Sequence, residues 1–155
     1  MSAAALAAAL AASWYASAAA SDHPVSELVG SWRGTSTCTD RVAAPACKDE
    51  VIVYEFSAGT EAGTVHWKPD KIVDGKRQPM GDMDLTYDDG DACWRGEFRN
   101  PRVHIVWCLK PNGDQLTGSA WLIPGKENVR KVDAHREPPS KNPRDGATAS
   151  PGAPP

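Results

Sequence analysis

The sequence predicts an all-β chain, an eight-stranded antiparallel up-and-down meander closed as a small barrel. Three observations carry that prediction. Runs rich in Val, Ile, Thr, Tyr and Trp recur at spacings of about 8 to 12 residues between Gly, Pro, Asn and Asp turn signals, with no amphipathic helical window after the N-terminal segment. Residues 92–108, ACWRGEFRNPRVHIVWC, read as a β-hairpin with its apolar side chains on one face. Sequential hairpins with one apolar face leave exposed sheet edges, and closing the meander on itself removes them. A two-sheet sandwich is the other arrangement for this pattern.

Both ends of the 155-residue chain stand apart in composition. Residues 1–20, MSAAALAAALAASWYASAAA, carry no charge and end in Ala18-Ala19-Ala20, which fits a signal-peptidase site, so they are expected to be an export signal. Residues 137–155, EPPSKNPRDGATASPGAPP, bury too little apolar surface to offset ordering entropy and are expected to be disordered. That leaves residues 21–136 as one barrel domain, periplasmic or secreted, with no membrane span once the signal is removed. A net charge of -3 gives no reason to expect a nucleic acid or a membrane surface as partner.

Each element follows from local composition. Gly30-Ser31-Trp32-Arg33-Gly34-Thr35-Ser36-Thr37-Cys38 is small and β-tolerant and makes the first strand; Glu50 to Phe56, EVIVYEF, has the strongest strand composition in the chain. After a turn from Gly59 to Gly63, Thr64 to Lys68 forms a third strand. Residues 69–81 are expected to break into a turn at Asp74-Gly75 and a loop at Pro79, with Lys71-Ile72-Val73 strand-like. Asp82 to Tyr87 is a further strand, ended by Asp88-Asp89-Gly90. The hairpin of residues 92–108 follows, then an Asn112-Gly113 turn, Gln115 to Ile123, a Pro124-Gly125 turn and Val129 to Arg136.

Within the hairpin the turn is placed at Arg99-Asn100-Pro101-Arg102, flanked by Phe98 and Val103. That register sets Trp94 opposite Trp107 and Cys93 opposite Cys108. Trp94, Phe98, Val103, Ile105 and Trp107 then share the core face, while Cys93, Arg95, Glu97, His104 and Cys108 take the other. Opposed cysteines stand about 4.5–5.5 Å apart at Cα, a separation a disulfide spans. Four cysteines in an exported chain read as two bridges, so Cys93–Cys108 leaves Cys38–Cys47 to close the loop TDRVAAPA. No C-x-x-C knuckle suggests zinc.

Gly30-Ser31-Trp32 on a first strand resembles the G-x-W signature of lipocalins. An arginine on the last strand, Arg130 or Arg136, resembles the arginine that in that family stacks on the tryptophan and closes the barrel base. The resemblance implies a barrel over residues 28–136, with Gly30, Trp32 and Arg136 as its closing residues. The T-D-Y motif and the helix after the last strand found in many lipocalins have no counterpart here.

No nucleophile elbow, H-E-x-x-H or phosphate loop is present, so neither an enzyme nor a cofactor is expected. Asp82, Asp84, Asp88, Asp89 and Asp91 lack the spacing of a calcium loop and read as turn formers. His104 and Glu97 read as an exposed cross-strand ion pair. The tryptophans are the remaining signal. Trp94, Trp107, Ile105 and Trp67 are candidate walls of an interior ligand cavity, with Gly96, Gly118 and Ala120 leaving room on the same face. Lys71, in the basic stretch Lys68 to Arg77, is a candidate partner for an anionic head group at the mouth. Two functions are expected to compete: carriage of a small apolar or amphipathic ligand, and binding of an envelope protein partner through the surface or the segment Ser21 to Glu27.

Overall fold

In the computed structural model, which describes residues 23–138, a 3-10 turn at Val25–Glu27 precedes nine strand segments. These are β1 Gly30–Cys38, β2 Glu50–Ala58, β3 Thr64–Val73, β4 Lys76–Pro79, β5 Met83–Asp88, β6 Cys93–Arg99, β7 His104–Asn112, β8 Gln115–Leu122 and β9 Asn128–Arg136. They form one antiparallel sheet in the order β2-β1-β9-β8-β7-β6-β5-β3-β4, closed by β2 pairing with β3. This is the expected eight-stranded meander barrel, and the sandwich does not form. Nine segments make eight staves because β4 and β5 follow one another along the same neighbour. Thr64 to Trp67 of β3 pair with β5, and Asp70 to Val73 pair with β4.

The expected signal, residues 1–20, lies outside the described residues, as does the tail from residue 139. Glu137, assigned to the tail, is instead tied to β1: its N–H donates to the Ser31 carbonyl at 2.7 Å, and its carboxylate accepts the Ser31 hydroxyl at 2.6 Å. A loop was also expected around Pro79. Pro79 instead ends β4, an edge segment, where a missing N–H costs no ladder bond. The Asp74-Gly75 turn is as expected, with φ of 50° and 74°, joining Val73 directly to Lys76 as a two-residue hairpin loop does. At the β7–β8 hairpin Asn112 pairs with Gln115, so the two loop residues are Gly113 and Asp114 rather than Asn112 and Gly113.

The central hairpin needs a larger correction. Trp94 pairs with Leu109 and Gly96 with Trp107, two residues away from the expected Trp94–Trp107 opposition. The loop has the expected four residues but runs from Asn100 to Val103. Asn100 Oδ1 accepts the N–H groups of Arg102 and Val103 at 2.8 and 2.9 Å. Asn then opens the turn and Pro101 takes its second position, where a fixed φ is favourable; the expected placement would have put proline third, where it is not. A slip of two leaves every strand side chain on its predicted face, while Val103, expected on the core face, falls in the loop. Both disulfides form as predicted, Cys38–Cys47 and Cys93–Cys108, the second diagonally across the hairpin with 5.5 Å between Cα atoms.

Inside, Trp32, Trp67, Trp94, Tyr54, Ile52, Leu85, Leu109 and Leu116 are fully buried. The expected gaps at the small residues are taken up by neighbours. A Cβ on Gly96 would stand 2.4 Å from Leu85 Cδ2, and one on Gly118 2.5 Å from Leu109 Cδ2. One end of the barrel is sealed as the resemblance implied. The Arg136 guanidinium lies 4.1 Å from the Trp32 ring centroid and donates to the carbonyls of Val29 and Glu27 at 2.6 and 2.7 Å. Trp32 Nε1–H donates to the Leu28 carbonyl at 2.8 Å. Gly30, at φ 130°, has no Cβ to meet Arg136 Nη1, which would be 2.9 Å from it.

Candidate functional site

Side chains alternate in and out along a strand, so the inward set at the unsealed end can be read from the pairings. On β9, Arg130 shares its face with Val132, Ala134 and Arg136. The two arginines therefore point to the same interior from opposite ends, about 20 Å apart at roughly 3.3 Å per residue. On β2, Glu50 shares a face with Ile52, Tyr54 and Phe56; on β1, Ser36 with Trp32. On β3, Lys71 shares a face with Trp67 and Pro69.

These inward polar groups meet in one cluster. Arg130 Nη1 stands 3.0 Å from Glu50 Oε2 and donates to Ser36 Oγ at 2.7 Å, while Nη2 donates to the Lys48 carbonyl at 2.9 Å. Lys71 Nζ is 3.9 Å from the other Glu50 oxygen. Arg130 and Glu50 are largely buried, with side chains 14% and 17% exposed, so their pairing is better shielded from solvent than an ordinary surface ion pair. Below them Tyr54 is almost fully covered. Burial pushes its hydroxyl above the ordinary tyrosine range, partly opposed by the Ser36 hydroxyl and the Arg130 charge, so it stays a neutral phenol.

Under this cluster lies a cavity of about 180 Å³. Tyr54, Trp67 and Trp107 form its aromatic walls, Ile105, Pro69 and Met83 its aliphatic ones, Met80 and Phe98 its rim, and Glu50 and Arg130 its polar edge. The rings lock edge to face: Trp67 lies 4.9 Å from Tyr54 and 5.4 Å from Trp107 between centroids. Trp67 Nε1–H has no hydrogen-bond acceptor among the described residues. The rim residues sit where the wall parts. β5 meets β6 only from Thr86 to Asp88, and β4 pairs with β3 alone, so Gly96 to Arg99 have no strand on that side. Met80 and Phe98 are 37% and 38% exposed at this parting, a lateral entrance to the cavity.

Of the residues singled out in the sequence, Trp67, Trp107 and Ile105 line the cavity; Lys71 is not in its lining and stands behind it, its Nζ 3.9 Å from the lining residue Glu50. Trp94 is not in its lining; it is fully buried nearer the sealed end, edge to face with Tyr87 at 5.5 Å. In the basic stretch, Arg77 turns to the outer face and pairs with Glu55 at 2.9 Å and Asp70 at 2.6 Å. Arg130, a candidate for the base, sits instead at the mouth. Glu50, Tyr54, Met80 and Met83 were missed. Period-two parity could have found Glu50 and Arg130, since each lies two residues before an aliphatic core residue on its strand.

Elsewhere the polar groups satisfy one another. His104 Nε2 lies 2.5 Å from Glu97 Oε1, so the two expected partners meet, diagonally across the hairpin. In the acidic run, Asp88 Oδ1 accepts the N–H groups of Gly90 and Asp91 at 2.9 and 3.1 Å, and Asp84 lies 2.7 Å from His66 Nδ1. Among the described residues, no group of three or more His, Cys, Asp or Glu is placed to hold a metal ion. The chain matches no protein-family model and no curated protein.

Proposed function

We propose that this protein is an exported carrier that binds a small amphipathic ligand inside its barrel and performs no chemistry on it. One observation carries the reading: an aromatic-walled cavity of about 180 Å³ opens through an apolar rim and is edged by Arg130 and Glu50, with Lys71 3.9 Å behind Glu50. Apolar walls with a few convergent polar groups are what small-molecule sites are made of. The two disulfides fit an oxidising compartment outside the cytoplasm, and among the described residues no helix is long and apolar enough to cross a membrane.

The competing reading is an envelope or inhibitor-type protein that binds a partner through its surface or its N-terminal segment, and the segment route has less support. His23 stacks on Tyr87 at 3.6 Å, Val25 packs on the core and Leu28 is fully buried, so residues 23–28 are already docked on their own barrel. Native mass spectrometry of the protein purified from its own host tests the choice. A small-molecule adduct lost on unfolding supports the carrier. A stoichiometric protein partner retained on an otherwise empty barrel would replace it.

A further inference from the structure

We propose that the barrel selects small monocarboxylates whose apolar body is about one aromatic ring, held ring inward with the carboxylate at Arg130 and Lys71. The proposal rests on the interior-binding reading above and narrows it to a ligand class through size, wall and charge.

Size sets the body. The cavity measures about 180 Å³, close to the roughly 150 Å³ of an apolar cavity that takes up benzene, and well below the roughly 300–1,000 Å³ of sites for drug-sized ligands. A ring with a short arm fills it; an extended acyl chain does not. The wall sets the body's shape. Trp67, Trp107 and Tyr54 are fixed by one another's edges, and a flat ring continues the same edge-to-face packing without moving them.

Charge sets the head group. Two cations, Arg130 in the cavity's lining and Lys71 just behind it, flank one anion, Glu50. This leaves one positive charge in excess, which a monoanion neutralises, a neutral molecule leaves uncompensated and a dianion overshoots. The guanidinium is already positioned by Ser36 Oγ and the Lys48 carbonyl, so binding an anion requires little ordering. Glu50 competes with the ligand's carboxylate for the same two cations and thereby sets how strongly an acid is preferred over its neutral analogue.

The test is calorimetric titration of the disulfide-intact protein with phenylacetate, phenylacetamide and dodecanoate, repeated on Glu50→Gln and Lys71→Met. Phenylacetate should bind one to one and about tenfold or more tighter than the amide, a gap of about 1.4 kcal/mol. That gap should widen in Glu50→Gln and narrow in Lys71→Met, and dodecanoate should bind more weakly than phenylacetate. Equal binding of acid and amide would overturn the head-group assignment, and tighter binding of dodecanoate the size assignment; either leaves an interior carrier standing. If none of the three binds, the proposal fails. Toluene, titrated in parallel, then decides whether the carrier reading falls too.

Discussion

Trp32 holds the sealed end together through three contacts: burial of its ring, the bond from its Nε1–H to Leu28 and the Arg136 guanidinium over its face. Trp32→Ala should therefore cost about 3–5 kcal/mol in a denaturant melt, as for other buried aromatic truncations. A cost below about 1 kcal/mol would mean that the sealed end contributes little to stability. Asp49 sits at the other end, where its Oδ1 accepts the Cys38 N–H at 2.8 Å and its Oδ2 pairs with Arg41 at 3.0 Å. The Cys38 bond first, and Arg41 second, hold its carboxyl below the usual aspartate value of 3.8. Because the folded-state pKa is the depressed one, this contribution is complete above the unfolded value and disappears as pH falls through the folded value. In an amide-resolved pH titration, the Cys38 N–H should move with a midpoint below the usual aspartate value of 3.8; a midpoint at or above that value would contradict the bond.

At the level of elements, the faces of the strands were legible in the sequence and their exact pairing was less so. Alternation placed Trp94, Phe98, Ile105 and Trp107 on one side correctly, because parity survives a slip of two. The slip itself hung on which residue opens the turn. The cysteine pair could not decide it, since a disulfide spans the diagonal as well as the direct opposition. Glu50 and Arg130 were passed over because a charge on a strand reads as solvent-facing, although their parity with the core residues Ile52 and Val132 puts them on the inner face, where they pair. The tight neighbours of Gly96 give the packing of β6 against β5 side chains a test. Gly96→Val should destabilise by about 1–3 kcal/mol, as overpacked core positions do, because the added groups meet Leu85 and Met83. At the loop, replacing Cys38 and Cys47 together by serine should cost about 2–3 kcal/mol, the chain-entropy value for so short a ring. Equal melting midpoints for oxidised wild type and this double variant would show that the loop bridge does not stabilise the fold.

For the whole molecule, the two ends of one barrel divide the labour. Arg136 sits over Trp32 and seals one end, whereas Arg130, six residues earlier on the same face of β9, is left at the cavity with Glu50 and Lys71. Tryptophans are distributed along this axis and around the wall, so their indole N–H resonances report separately on each region. Trp67 and Trp107 line the cavity, Trp32 lies under the seal, and Trp121 stands on the outward face of β8, opposite Val106. The most direct measurement is a nitrogen-15 correlation spectrum of the indole N–H groups during titration with phenylacetate, a small apolar acid the cavity should accept. Binding inside the barrel should move Trp67 and Trp107 together, saturably and at one equivalent, with Trp32 and Trp121 unmoved. Shifts confined to Trp121, or movement of all four in proportion to added ligand without saturation, would place binding on the outer surface and contradict an interior site.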